Sequence, residues 1–327
     1  MKIDSERSNI IHWISFFAIA CVVLGHCRVG SDAVQNIIFD TFCQWHVPFF
    51  YLISGMFLSI SLTNHSWKDI IQTRLRTLVV PYFLWCLIPL LLKGKSGVSC
   101  SVDEAFALTT SFPLGNPHLW YLHCLIIFVI LATLIWRVLA FLPEFSRRIL
   151  WGVSFASIAL FAEYFGVRTL YGTPTSPFYF LSGFIFAPLL STCKMAKFAG
   201  GGGGVFIAIL SRIAWFVLAP KGVWEMLMRM FCNYSMIFAV WGVLWGFARC
   251  KILSECPSGL RPIFFVYCFH GLLLPYCRHL CINVLDVPAT WFGMIVLSII
   301  VLLISLIFGN MMKKMCVVAY GYLSGGR

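Results

Sequence analysis

Apolar runs of about twenty residues recur along almost the whole chain, and no other feature limits its folding so severely. Coiled as a helix at about 1.5 Å per residue, such a run crosses the roughly 30 Å hydrocarbon core of a bilayer. Charge is scarce to match: 11% of the 327 residues are charged and 60% are hydrophobic. Soluble domains carry about 25% charged residues. A soluble chain this depleted would expose large apolar patches and aggregate. No polar stretch is long enough to hold a soluble domain, so residues 1–327 read as a single membrane-embedded domain.

Each span must satisfy its own backbone hydrogen bonds, which makes the spans helical. A membrane β-barrel would need alternating strands of about ten residues, and these runs are too long and too uniformly apolar. The expected fold class is therefore all-α, a polytopic bundle of about ten transmembrane helices. The spans fall near 10–27, 42–62, 74–92, 117–141, 149–167, 174–192, 204–220, 231–249, 262–282 and 289–311. The first run reaches His26 with no small-residue cleavage site, so it reads as a retained helix and not a signal peptide. Pro48, Pro81, Pro89, Pro188 and Pro275 lie in or near spans and predict kinks. The run Gly200 to Gly204 reads as a turn, because a phosphate loop would need a following Lys-Ser/Thr. There is no internal repeat of the kind that marks many transporters.

The net charge of +12 comes with no nucleic-acid motif, so no nucleic-acid partner is expected. With these spans, sixteen of the 24 Lys and Arg lie on the side of the N-terminus and seven on the other, with Arg212 inside a span. The positive-inside rule then places both termini in the cytoplasm and makes the lipid bilayer the main partner of the surface. Most of the fourteen cysteines lie within apolar runs, where they act as small hydrophobes. No CxxC pair has zinc spacing, so no metal site is expected. Cys277 and Cys281, at helical spacing, are the candidates for a disulfide.

Ionisable groups inside a membrane mark function by default. Leu24-Gly25-His26 ends the first span and Trp45-His46-Val47-Pro48 opens the second, so both histidines lie toward the outer face. Each can be an interfacial histidine bonded to water or backbone, or a base whose proton affinity lies near neutrality. Arg74 and Arg76, ahead of Pro81-Tyr82, are either positive-inside anchors or a phosphate-binding fork at the inner mouth. Pro117-His118-Leu119-Trp120-Tyr121-Leu122-His123 opens the fourth span. His118 and His123 are five apart and cannot share a helical face. His270 sits deep in the ninth span, where a packing role competes with a functional one. Arg212 needs a partner, with Glu163 and Glu225 as candidates.

In this order the elements resemble the acyltransferase-3 family of membrane O-acyltransferases. The resemblance rests on Gly25-His26, on His46-Val47-Pro48-Phe49-Phe50 with Ser54-Gly55, and on Arg74 and Arg76 before Pro81-Tyr82. Leu119-Trp120-Tyr121-Leu122 and Tyr267 to His270 complete it, so it covers nearly the whole chain. One position departs: where the family has Asp-x-x-Arg in the first helix, this chain has His12 and Ser15.

The resemblance implies transfer of an acyl group, usually acetyl, from cytoplasmic acyl-coenzyme A to a hydroxyl of an extracytoplasmic sugar or surface polysaccharide. Acetyl-coenzyme A is then a donor substrate and not a resident cofactor, and the setting is a bacterial inner membrane. The catalytic candidates are His26, His46 and His270. Arg74 and Arg76 are the candidates for the coenzyme, and His118, Trp120 and Tyr121 for the acceptor. The competing expectation is a multispan transporter or exporter of a polysaccharide or its precursor.

Overall fold

The structure is a computed structural model that describes residues 5–29, 32–95, 117–165, 173, 175–190 and 203–326. Among these residues all regular structure is helical and no strand occurs. Six stretches are long and apolar enough to cross a membrane: Asn9–His26, Ala33–Asn64, Trp120–Phe141, Val223–Arg249, Ile263–Val284 and Trp291–Met315. Helix also occupies the other four expected spans. There it is shorter or less apolar, as Val80–Lys95, Glu144–Tyr164, the pair Ser176–Ile185 and Ala187–Leu190, and Gly203–Leu218. Gly200 to Gly202 of the expected turn lie outside the described residues.

The elements that build the site need labels: α1 Ser5–His26, α2 Ala33–Ile38, α3 His46–Asn64, α4 Trp67–Arg74 and α5 Val80–Lys95. These are followed by α6 Trp120–Val138, α7 Glu144–Tyr164, α8 Ser176–Ile185 and α9 Ala187–Leu190. The last five are α10 Gly203–Leu218, α11 Val223–Arg249, α12 Ile263–Arg278, α13 Trp291–Met315 and α14 Val317–Ser324. Helix α1 is central and packs on α3, α11, α12 and α13. Helices α3 and α8 make the most extensive pairing. A Cβ at Gly183 would collide with the Leu52 backbone, and one at Gly55 with the Phe180 backbone. Lipid gives helices no hydrophobic reason to associate, so backbone approach at small residues supplies the dispersion contact instead.

Large apolar side chains such as Leu134, Phe161, Ile209 and Ile299 stay exposed along the helices. That pattern suits a lipid-facing surface, since hydrocarbon imposes no cost on them. The described cysteines are all free thiols, Cys277 and Cys281 included. The candidate disulfide between them is not formed.

Candidate active site

Helix α1 stops at His26, where the Cys27 amide closes the last turn onto Val23 and Leu24 at 3.0 and 3.2 Å. The terminal carbonyls there carry partial negative charge. Arg278 of α12 meets them, donating to the His26 carbonyl at 3.1 Å and the Arg28 carbonyl at 3.3 Å. A π-helical turn, Phe39–Cys43, leads into α3 and frees the Cys43 carbonyl for the ring of His46. A carbonyl only accepts, so His46 donates through Nδ1 and its Nε2 carries the lone pair in the neutral ring.

The same logic sets His270, which is 1% exposed on α12. Its Nδ1 donates to the Tyr267 carbonyl at 2.7 Å. Its Nε2 is buried with no hydrogen-bond partner among the described residues. His118 lies in a short 3-10 turn, Pro117–Leu119, just before α6. Its backbone carbonyl accepts the Tyr267 hydroxyl at 2.7 Å. Its ring occupies the space that a Cβ at Gly271 would fill.

These anchors bring three imidazoles together. The ring centroids of His26 and His118 are 4.5 Å apart, and His270 is 5.3 Å from each. One ring nitrogen from each lies within 4.8 Å of the other two. Burial, and then the positive charge of Arg278, lowers the proton affinity of His118 below the ordinary histidine value.

His26, His46, His118, Trp120 and Tyr121 line one cavity of 860 Å³, a size suited to a small-molecule substrate. His270 sits behind it in ring contact. Tyr121 packs edge-on to Tyr51 at 4.7 Å and to Tyr267 at 5.7 Å, so the apolar wall is fixed. The far wall was missed in the sequence. Glu225, Arg229 and Asn233 of α11 all line the cavity, and Arg229 pairs with Glu225 at 3.0 Å. Their spacing of four places them on one face of an apolar helix, and that stripe was the available signal.

Among the described side chains, Arg212 meets no carboxylate. Glu225 is taken by Arg229, and the side chain of Glu163 is outside the described ones. Arg212 is 5% exposed and donates to Asn233 Oδ1 at 3.3 Å, while Asn233 donates to the Tyr179 hydroxyl at 3.0 Å. His123 turns away from the cavity and meets the Tyr82 hydroxyl of the Pro81-Tyr82 pair at 3.1 Å. Arg74 and Arg76 are not in this cavity. Arg74 lies near the opposite end of α3, where it donates to Ser61 at 3.4 Å, and Arg76 is exposed. On α1, His12 lies within electrostatic reach of Arg261 and Glu255, themselves paired at 2.8 Å.

A family model described as an acyltransferase domain, that of the acyltransferase-3 family, matches residues 9–309. The chain belongs to the acyltransferase-3 family. With its apolar helices this makes it an integral membrane acyltransferase. No curated protein and no solved structure matches it.

Proposed function

We propose that this acyltransferase moves an acetyl group from cytoplasmic acetyl-coenzyme A to a hydroxyl of an extracytoplasmic sugar. In this reading ten spans with cytoplasmic termini, in a bacterial inner membrane, hold the donor mouth and acceptor cavity on opposite faces. The carrying observation is the convergence of His26, His118 and His270 beside a cavity walled by Trp120 and Tyr121. Aromatic faces with a few directional polar groups suit a sugar, whose C–H faces stack while its hydroxyls are hydrogen-bonded.

His26 takes the proton of the acceptor hydroxyl as its oxygen attacks the thioester carbonyl. The carbon–sulfur bond breaks, coenzyme A leaves as thiolate, and the His26 imidazolium returns the proton to it. The products are the sugar ester and free coenzyme A. His270 acts as an orienting group. Its Nδ1 proton is held by the Tyr267 carbonyl, so its Nε2 is suited to accept a hydrogen bond from the His26 ring N–H and not to donate to an oxyanion. His46 presents a lone pair to the same cavity. Arg74 and Arg76 attract the phosphates of the donor at the other end of α3.

The test uses purified protein in lipid nanodiscs with acetyl-coenzyme A and a glycan acceptor, following free thiol and acetylated sugar together. The expectation is thiol release coupled to sugar acetylation, lost in His26→Ala. A well-folded His26→Ala protein with full activity would remove His26 from the chemistry. Sugar movement across the nanodisc or a vesicle wall with no thiol release would favour the transporter.

A further inference from the structure

The same three histidines carry a second consequence that does not depend on acyl transfer. Neutral imidazole is the commonest protein ligand for borderline transition metals, and three of them with an open fourth position form a familiar zinc set. We propose that His26, His118 and His270 form a Zn²⁺-class metal site whose open position faces the cavity.

Four observations carry this. The ligands come from three separate elements: the end of α1, the turn before α6, and the middle of α12. Their ligating nitrogens lie within 4.8 Å of one another. Tetrahedral zinc with bonds of about 2.0–2.1 Å needs nitrogens about 3.4 Å apart, so modest ring rotation closes the site. The backbone already orients His270, because Nδ1 donates to the Tyr267 carbonyl, the usual outer partner of a zinc-bound histidine. Finally, Nε2 of His270 is a buried polar atom with no partner among the described residues, directed at the group. A buried lone pair left unmatched is costly, and a metal ion satisfies it.

The charges around the group set the character of the site. Arg28 and Arg278 both act on it electrostatically, and Glu225, which lines the same cavity, is paired with Arg229. Two cations disfavour a bare dication and favour an anion, such as hydroxide, as the fourth ligand. The site is therefore exchangeable and not structural. A metal held there also ties up the His26 lone pair. Metal binding and base chemistry at His26 are mutually exclusive, so zinc is an inhibitor of any reaction that uses this base.

The experiment uses the full chain, purified through an affinity tag without histidines, stripped with chelator and loaded with Zn²⁺ or Co²⁺. Bound metal is counted at equilibrium, by dialysis against a fixed free-metal concentration, for the wild type, His26→Gln, His118→Gln and the exposed control His65→Gln. The control should match the wild type, and each triad variant should hold one ion fewer per chain. His118 is only half-buried, so His118→Gln keeps the test valid where another variant fails to fold. The Co²⁺ protein should give the visible absorption of a nitrogen-bound tetrahedral ion. Equal metal content in the wild type and a monodisperse His118→Gln would overturn the proposal. So would a spectrum dominated by thiolate-to-cobalt transitions, which would assign the ion to cysteines. Metal is counted without any turnover, so a protein that binds zinc here but never consumes acetyl-coenzyme A would refute the acyl-transfer reading alone. In an active preparation, Zn²⁺ should inhibit and chelator restore the rate.

Discussion

At one end of α3, His46 joins His26 and His118 around a cavity of 860 Å³, with His270 behind them and the far wall built from α11. At the other end Arg74 lies on Ser61, Arg76 is exposed, and a pocket touching Arg74 measures 200 Å³ and is otherwise almost wholly apolar. From His46 to Ser61 is about 22 Å along the helix. The contrast follows from what each side chain costs to bury. A neutral imidazole can be taken out of water if one nitrogen finds a carbonyl, as His46 and His270 do. A guanidinium is always charged and stays near water unless polar groups meet it. Arg212 tests that rule inside the bundle, and it is met by Asn233. In the proposed reading the histidine end carries out the chemistry and the arginine end captures the charged donor.

The sharpest way to break this contrast is at His26. His26→Ala should lower kcat by about 10²–10⁴, the usual contribution of a positioned base, with little change in donor KM. A steady-state comparison in nanodiscs decides it, and a defect confined to KM would reverse the roles of the two ends. Gly271→Ala comes next. The added Cβ must displace the His118 ring, and we expect a loss of about tenfold to a hundredfold in kcat/KM for the acceptor. Retained activity with unchanged zinc binding would show that the ring relocates freely.

Joint replacement Arg74→Gln with Arg76→Gln probes the opposite end. Loss of about 1.4 kcal/mol of donor binding corresponds to a tenfold higher KM for acetyl-coenzyme A. The effect should shrink in high salt, because exposed charges are screened. Equilibrium titration with coenzyme A measures it directly, and an unchanged affinity leaves these residues as membrane anchors. The smallest effect concerns pH. Burial lowers the proton affinity of His118 first, and Arg278 lowers it further. Arg278→Gln removes only the second cause. The protonated form then appears at a higher pH than in the wild type, and the acid limb of the kcat/KM profile should move toward neutrality. A limb that stays in place, or moves down, would separate His118 from the rate.

Parts of both ends were legible in the sequence because their signals are local. The Trp120-Tyr121 pair, Gly25-His26 and the Tyr267-to-His270 spacing could each be read directly, and the six longest apolar helices fall where hydropathy places them. The polar stripe Glu225, Arg229 and Asn233 was equally local but lay in an apolar run dominated by Met, Phe and Trp. The partner of Arg212 was not legible. Charge complementarity suggested Glu163 or Glu225; Glu225 pairs with Arg229, and among the described side chains a neutral amide on the neighbouring α11 meets the guanidinium.

Sequence alone determined that this chain lives in a bilayer, that its regular structure is helical, and which few side chains are too polar to be there by accident. Hydrocarbon thickness and backbone hydrogen bonding act on each segment separately, so a linear reading is enough. Only the tertiary structure decided that residues 26, 118 and 270 share one nitrogen-lined point, that His123 turns to Tyr82, and that Cys277 and Cys281 remain free thiols. The histidine cluster depends on the close approach of the His118 ring to Gly271, as the α3–α8 pairing depends on Gly55 and Gly183. Such contacts join residues far apart in the chain, and spacing along it carries no record of them.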